Sequence, residues 1–187
     1  MNLQKTALLV IDVQQGFDDL AYWGGERNNP YAEQNIAKLL EGFRQTRAHI
    51  IHVRHSSTTP GSRLEPSHVG FQVKPEAKEL NGETVIVKHV NSAFIGTNLE
   101  QHLRDNQISS LVICGATTDH CCSTTTRMAA NLGFKTVFIE DAVWTYNRTH
   151  PDGSSFPAEL VHRVNVSSLA KEFAKILSTN TMLERLQ

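Results

Sequence analysis

The sequence predicts a three-layer, doubly wound α/β fold, with a mainly parallel sheet covered by helices on both faces. Two observations carry this reading. Short apolar, β-branched runs recur along the chain and are hydrophobic almost throughout, as strands covered on both sides must be. Between them lie segments of helical period, and the connections are too long for hairpins, so successive strands return in the same direction through crossovers.

In chain order, the first strand is read at 7–13, ALLVIDV. Asn29 and Pro30 then supply a cap and a first-turn residue for a helix over 31–46, because proline has a preset φ and lacks an N–H that the first turn cannot use. A second strand follows at 49–53. The stretch 56–80, rich in Ser, Thr, Pro and Gly, reads as a long loop, and loops of that length in compact domains tend to be functional. A third strand is expected at 84–87, a helix at 99–105 and a fourth strand at 110–114. The next helix, 121–132, is closed by Gly133, a residue suited to the left-handed position after a helix. A fifth strand at 136–139 leads into WTYNRTHPDGSSFPAEL, read as a loop and a short helix. A helix at 167–174 and a weaker sixth apolar run at 175–177 complete the pattern.

Composition narrows the function. A chain of 187 residues with 40% hydrophobic and 20% charged residues suits one compact domain, 1–187, with a single core. Net charge is −1 and the 18 basic residues are scattered, so neither nucleic acid nor a membrane surface is an expected partner. A small-molecule substrate is expected instead. No apolar run reaches the roughly 18 residues that span a bilayer, and the first apolar stretch runs straight into Asp12 rather than a cleavage pattern. A cytoplasmic protein is expected. The three cysteines, Cys114, Cys121 and Cys122, fall within nine positions, an odd cluster that describes free thiols rather than a disulfide framework.

In doubly wound folds the site lies outside the carboxyl ends of the strands. That rule marks Asp12, Arg54 with His55, Lys88 with His89, the turn 115–121 and the stretch 140–144. Asp12 ends a strand of apolar residues, where a carboxylate is costly to bury without a partner; the alternative is a cap or a surface turn. Lys88 closes TVIVK in the same way. Alone it reads as a lysine reaching for water, but beside Asp12 it reads as half of an ion pair. Cys121 lies in GATTDHCCSTTTRMA, at or near the first turn of a helix. Helix starts favour the thiolate, and an ammonium nearby lowers the thiol pKa further. The competing reading, an inert buried thiol, fits Cys114 inside its apolar strand. Backbone N–H groups around Thr118 to Cys121 are also candidates for an oxyanion hole, since a helix start leaves donors unpaired. Three strand ends thus supply a carboxylate, a cation and a thiol, the logic of covalent catalysis.

With IDVQ carrying Asp12, VIVKHVNSAF carrying Lys88 and CGATTDHCCSTTTRMAANLGF carrying Cys121, the chain resembles the isochorismatase-like cysteine hydrolases. That superfamily includes nicotinamidases and N-carbamoylsarcosine amidohydrolases. The resemblance implies a six-stranded sheet, a cis peptide between Thr117 and Thr118, and an oxyanion hole from the Thr118 and Cys121 amides. It implies Asp12 as the group that moves the thiol proton, Lys88 as its holder, and Cys121 as the nucleophile of a thioester route to cleavage of a small amide or related C–N bond. Where Cys122 stands, the family usually has an aliphatic residue.

Nicotinamidases carry an Asp with two or more histidines after the second strand, which bind a divalent ion. Here that region reads HVRHSSTTPGSRLEPSHVGF, with His52, His55 and His68 but no Asp. No metal and no cofactor are therefore expected, and a three-histidine zinc site is the competing reading. Phe17, Trp23, Asn91, Phe94 and His120 flank the motifs and are candidate pocket residues, although large aromatics are often plain core. In relatives, segments like the one around Trp144 and Phe156 help build dimers, so a homo-oligomer is expected. Three other functions stay open: a metal-dependent nicotinamidase-like enzyme using a divalent ion through His55 or His68, an isochorismatase-type vinyl ether hydrolase, and a non-catalytic, redox-responsive protein built on the adjacent cysteines, a pair able to form only a strained disulfide.

Overall fold

A computed structural model describes residues 2–186. Its elements run β1 (Thr6–Ile11), α1 (Leu20–Trp23), α2 (Ala32–Gln45), β2 (His49–His55), β3 (Thr84–Lys88), α3 (Leu99–Asp105), β4 (Ser110–Ala116), α4 (Ser123–Asn131), β5 (Lys135–Trp144), β6 (Arg148–Thr149), β7 (Ser155–Phe156), α5 (Ala158–Leu169), β8 (Lys175–Leu177) and α6 (Thr179–Glu184). The main sheet has six strands in the order β3-β2-β1-β4-β5-β8, and every pair is parallel. β6 and β7 form a separate antiparallel ribbon. No helix among the described residues is long and apolar enough to cross a membrane.

The central strand shows why the sheet is three layers deep. Ala7, Leu9 and Ile11 pack into a cluster with Leu99 and Leu103 of α3, Ala129 of α4 and Val166 and Leu169 of α5. Leu8 and Val10 point the other way, onto Ile36, Leu39, Leu40 and Phe43 of α2 and Met182 of α6. Alternate side chains on a strand face opposite sides, so a strand buried on both faces must be apolar at every position, as TALLVI nearly is. The four large α2 residues are fully buried, each stabilising by about 1.5–3 kcal/mol before chain entropy is counted.

The chain leaves β1 in one direction toward β2 and β3, and returns on the other side of β1 through β4, β5 and β8. The order therefore reverses between β1 and β4, and ligand crevices form at such a switch point. Close approach there depends on Gly115, which pairs with Ile11 at φ +123°. A Cβ at this position would lie 1.9 Å from the Ile11 carbonyl oxygen.

Two elements differ from expectation. The helix expected at 167–174 instead runs Ala158–Leu169. Pro157 opens it, the stripe Ala158, His162, Val166 and Leu169 is its buried face, and the left-handed Lys171 follows its end. The polar His162 in that stripe concealed the period. β5 runs on to Trp144 through a register shift against β4, absorbing residues expected beyond its end. The long loop is borne out between β2 and β3, tightened by short 3₁₀ turns at Val69–Phe71 and Pro75–Ala77.

Candidate active site

Asp12 follows β1 in a left-handed conformation, φ 51°, and its N–H donates to the Val53 carbonyl at 2.8 Å. Two residues on, the fully buried Gln14 ties the neighbouring strand to this end. Its Oε1 accepts from the His55 N–H at 2.8 Å, and its Nε2 donates to the carbonyls of His55 at 3.1 Å and Phe71 at 3.0 Å. His55 is the register partner of Lys88 on the edge strand β3. Three strand ends therefore meet.

Lys88 is 0% exposed, and its ammonium donates to Asp12 Oδ2 at 2.6 Å, His55 Nδ1 at 3.1 Å and Cys121 Sγ at 3.3 Å. An ammonium has three N–H donors, and three acceptors surround this one. Burial pushes the Lys88 pKa down, but the facing Asp12 and Cys121 groups outweigh it and leave it raised. The other Asp12 oxygen, Oδ1, is buried with no hydrogen-bond partner among the described residues. Burial first, then the Lys88 charge, hold the His55 pKa below the usual imidazole value, so its ring is neutral at pH 7.

Cys121 sits in a π-helical turn, Thr118–Cys122, that leads into α4. The Cys122 N–H donates to the Thr117 carbonyl at 3.1 Å, the wide closure of such a turn, and π turns recur at functional sites. Here one expectation fails. Burial and the Asp12 charge push the Cys121 thiol pKa up, and Lys88 offsets this only in part. The sequence shows the helix start, the cation and the carboxylate, but not the depth of burial, which is the largest influence. The resting sulfur is a thiol. Cys114 and Cys122 are fully buried, which pushes both of their pKa values up, and both pack as core.

The cis peptide also needs correction. It lies between Ala116 and Thr117, one bond before the expected Thr117–Thr118 position, because β4 continues through Gly115 and Ala116 and the turn starts only afterwards. Thr118 is fully buried, with its hydroxyl 3.1 Å from His162 Nδ1 on α5. The Thr117 hydroxyl is buried without a partner among the described residues.

Cys121 opens on a cavity of about 170 Å³. Of the expected pocket residues, Phe17, Trp23, Asn91 and His120 line it, together with Leu64, Thr117 and His55. Phe17 and Trp23 pack as a tilted pair with ring centroids 4.7 Å apart, and the Trp23 indole N–H donates to the Gly16 carbonyl at 2.7 Å. Phe94 is the exception. It packs in the core with its ring 6.0 Å from Phe134 and does not line the cavity, since Ala93 and Phe94 turn under the sheet edge toward α3 and α4. Leu64 escaped sequence reading because nothing local says which part of a 25-residue loop folds inward.

Behind the wall, Asp119 accepts from Arg148 Nε at 2.7 Å, Arg148 Nη2 at 3.1 Å and the Thr145 hydroxyl at 2.5 Å. Arg148 also donates to the Trp23 carbonyl at 3.3 Å, joining the β6–β7 ribbon to the turn and the aromatic wall. The histidines of the zinc reading do not converge. His52 bonds Glu83 at 2.8 Å, and His68 Nδ1 accepts from the Gly70 N–H at 2.9 Å. Asp12, His55 and Cys121 do place donor atoms within 4.8 Å of one another, but the Lys88 ammonium already bonds all three.

The sequence matches the isochorismatase domain over residues 6–181. The isochorismatase family protein YrdC of Bacillus subtilis is 43% identical over 180 residues, covering 96% of this chain and 95% of that one. The crystal structure of an isochorismatase family protein from Chromobacterium violaceum superposes with a TM-score of 0.94 at 40% identity, over 100% of this chain and 95% of its own. Nicotinamidase 3 of Arabidopsis thaliana is 24% identical over 198 aligned positions, 99% of this chain and 90% of that one. A parallel sheet whose strand ends gather a carboxylate, an ammonium and a thiol thus coincides with a domain match over nearly the whole chain, and the protein is a hydrolase that belongs to the isochorismatase family.

Proposed function

We propose that this hydrolase cleaves a small, uncharged amide or related C–N bond through a thioester on Cys121. The observation that carries the reading is the partition of the Asp12 carboxylate: Oδ2 is held by Lys88 at 2.6 Å, while Oδ1 is buried and has no hydrogen-bond partner among the described residues. A buried acceptor without a donor costs about 1–3 kcal/mol, and a thiol proton would satisfy it.

In the first half-reaction Asp12 Oδ1 takes the proton from Cys121 as Sγ bonds to the substrate carbonyl carbon. The carbonyl oxygen becomes an oxyanion, stabilised by the amides of Thr118 and Cys121 at the start of the π turn. As the C–N bond breaks, the protonated Asp12 returns that proton to the leaving nitrogen. A thioester and a free amine or ammonia result. In the second half Asp12 removes a proton from water as the water oxygen attacks the thioester, and the thiol is restored with release of a carboxylic acid. Lys88 stays charged throughout and keeps the carboxylate oriented.

Two features support an uncharged substrate. At about 170 Å³ the cavity is below the ~300–1,000 Å³ of pockets for drug-sized ligands. Among the described residues its lining holds no arginine, and the Lys88 ammonium beside it has all three donors engaged, which disfavours a substrate carboxylate. Amide cleavage is consistent with the likeness to nicotinamidase 3.

The test is ammonia release from a panel of small uncharged amides by wild type and Cys121→Ser, with acid-quenched samples weighed for the acyl-enzyme. Turnover by wild type with an adduct on the Cys121 peptide, both lost in the variant, is the expected result. Equal turnover by both proteins would remove Cys121 from the chemistry.

A further inference from the structure

We infer that His55 is a positioning residue for this reaction: its neutral Nδ1 takes one of the three Lys88 hydrogens, fixes the ammonium between Asp12 and Cys121, and releases it on gaining a proton. The inference rests on the hydrolase reading of the same site.

The argument begins with donor count. Lys88 has three N–H groups and three acceptors within 3.3 Å, of which Asp12 and Cys121 exchange the reaction's proton while His55 Nδ1 does not. A ring nitrogen 3.1 Å from an ammonium must present its lone pair, which places the imidazole hydrogen on Nε2. Asp12 and Cys121 are the two groups whose protons must move. An ammonium held by those two alone would follow whichever carried the charge. The third contact gives it a partner that does not change during the reaction.

The ring is also unable to wander. Gln14 grips both the N–H and the carbonyl of His55, so the side chain hangs from a backbone fixed on both sides. Gln14 thereby acquires a role in the IDVQ segment: it sets the height of β2 against β1, and with it the place of the imidazole.

Protonation reverses the contact. The charged and titratable groups facing His55 are Asp12 from the end of β1, Lys88 and His89 from the end of β3, and, around the cavity, Cys121 and His120 from the π turn. Of these groups the Asp12 carboxylate favours an imidazolium, as does the Val90 backbone hydrogen bond, but burial and the Lys88 charge outweigh both, and the Asp12 Oδ2 is already bonded to Lys88. Two cations 3.1 Å apart cannot share a hydrogen bond, so either the ring or the ammonium must turn away. An acid limb in kcat/KM follows, placed by His55 below the ordinary imidazole value near 6.5.

The experiment compares His55→Leu, which removes the acceptor at similar bulk, with His55→Asn, which restores an acceptor oxygen near the Nδ1 position but cannot titrate. Cys121→Ser serves as the reaction control. The expected result is a roughly 10- to 100-fold loss of kcat in His55→Leu with KM little changed, the cost of one buried donor left unpaired. His55→Asn recovers most of that loss, and its acid limb moves to lower pH. Alkylation of Cys121 by iodoacetamide, which needs no substrate, slows in His55→Leu and recovers in His55→Asn. An unshifted acid limb in His55→Asn, or wild-type kcat and alkylation in His55→Leu, would overturn the inference. If His55→Leu fails to fold, the His55→Asn profile still decides. Should Cys121→Ser turn substrate over as wild type does, the thioester reading of Cys121 falls instead, and the alkylation series still judges His55.

Discussion

Asp12→Asn is expected to abolish turnover while making Cys121 more reactive toward iodoacetamide. Loss of a catalytic base usually leaves a nucleophile weaker or unchanged, so the opposite sign is a sharp test. In the resting site the thiol pKa is raised by burial and then by the Asp12 charge. A carboxylate oxygen lies within 4.8 Å of Sγ. At an effective dielectric of about 20, two unit charges at that separation interact by roughly 3.5 kcal/mol, which corresponds to about a 300-fold change in thiolate fraction. Asparagine keeps the shape, tolerates the φ of 51° at this position, and removes that repulsion. Lys88 then takes the thiolate as its counter-ion, so the ammonium is not stranded. The assay is the rate of Cys121 alkylation from about pH 6 to 10 in both proteins, with the modified peptide identified by mass, beside ammonia release. A variant that alkylates no faster than wild type would refute the electrostatic account of the site, and one that still turns over would refute the role given to Asp12.

Other outcomes follow from the same geometry. Lys88→Met leaves the Asp12 carboxylate buried and unpaired, a loss of about 3–5 kcal/mol readable in denaturant unfolding, and adding Asp12→Asn should recover part of it; full additivity of the two losses would mean the groups do not interact. Gly115→Ala places a methyl 1.9 Å from the Ile11 carbonyl at a φ of +123° and should cost at least about 3 kcal/mol, whereas a wild-type melting temperature would show that the strands part easily. Glu33 is pushed up by burial, but bonds from Arg27 and Lys74 prevail and hold its pKa at about 2. A depressed carboxylate pKa stabilises the fold above the unfolded value, so this contribution is complete above about 4.5 and is lost as pH falls toward 2. Glu33→Gln should flatten the stability profile in that window and leave its alkaline side unchanged.

Much of this architecture can be read directly from the chain because parallel strands buried on both faces cannot hide their composition. Asp12 and Lys88 stood out for the same reason: each is a charge at the end of an apolar run, and such a charge needs a partner. What stayed illegible depends on register. Nothing near Gln14 says that its amide grips residue 55, and nothing near His55 says that residue 88 lies opposite. Phe94 packs in the core instead of the cavity, and Leu64, which no local signal marks, joins the cavity lining, because loop direction is decided by long-range packing. The Cys121 pKa was misjudged for a similar reason. The helix start and the basic residue are visible in the sequence, while the depth of burial belongs to the whole fold.

Lys88 stands on β3, an edge strand of the sheet, bonded to β2 on one side only and with Val85 and Val87 on its exposed face. Two partners of the ammonium, Asp12 and Cys121, belong to segments deeper in the sheet. The most protected group in the site thus hangs from one of its least buttressed strands. Edge elements open at lower free energy than the whole domain, so mild denaturant or warming should withdraw the ammonium while the central strands stay paired. Activity would then decay ahead of global unfolding, and β3 amides would exchange hydrogen at the rate of that decay. The working lifetime of the protein is on this view set by the grip of a five-residue strand rather than by the depth of its core.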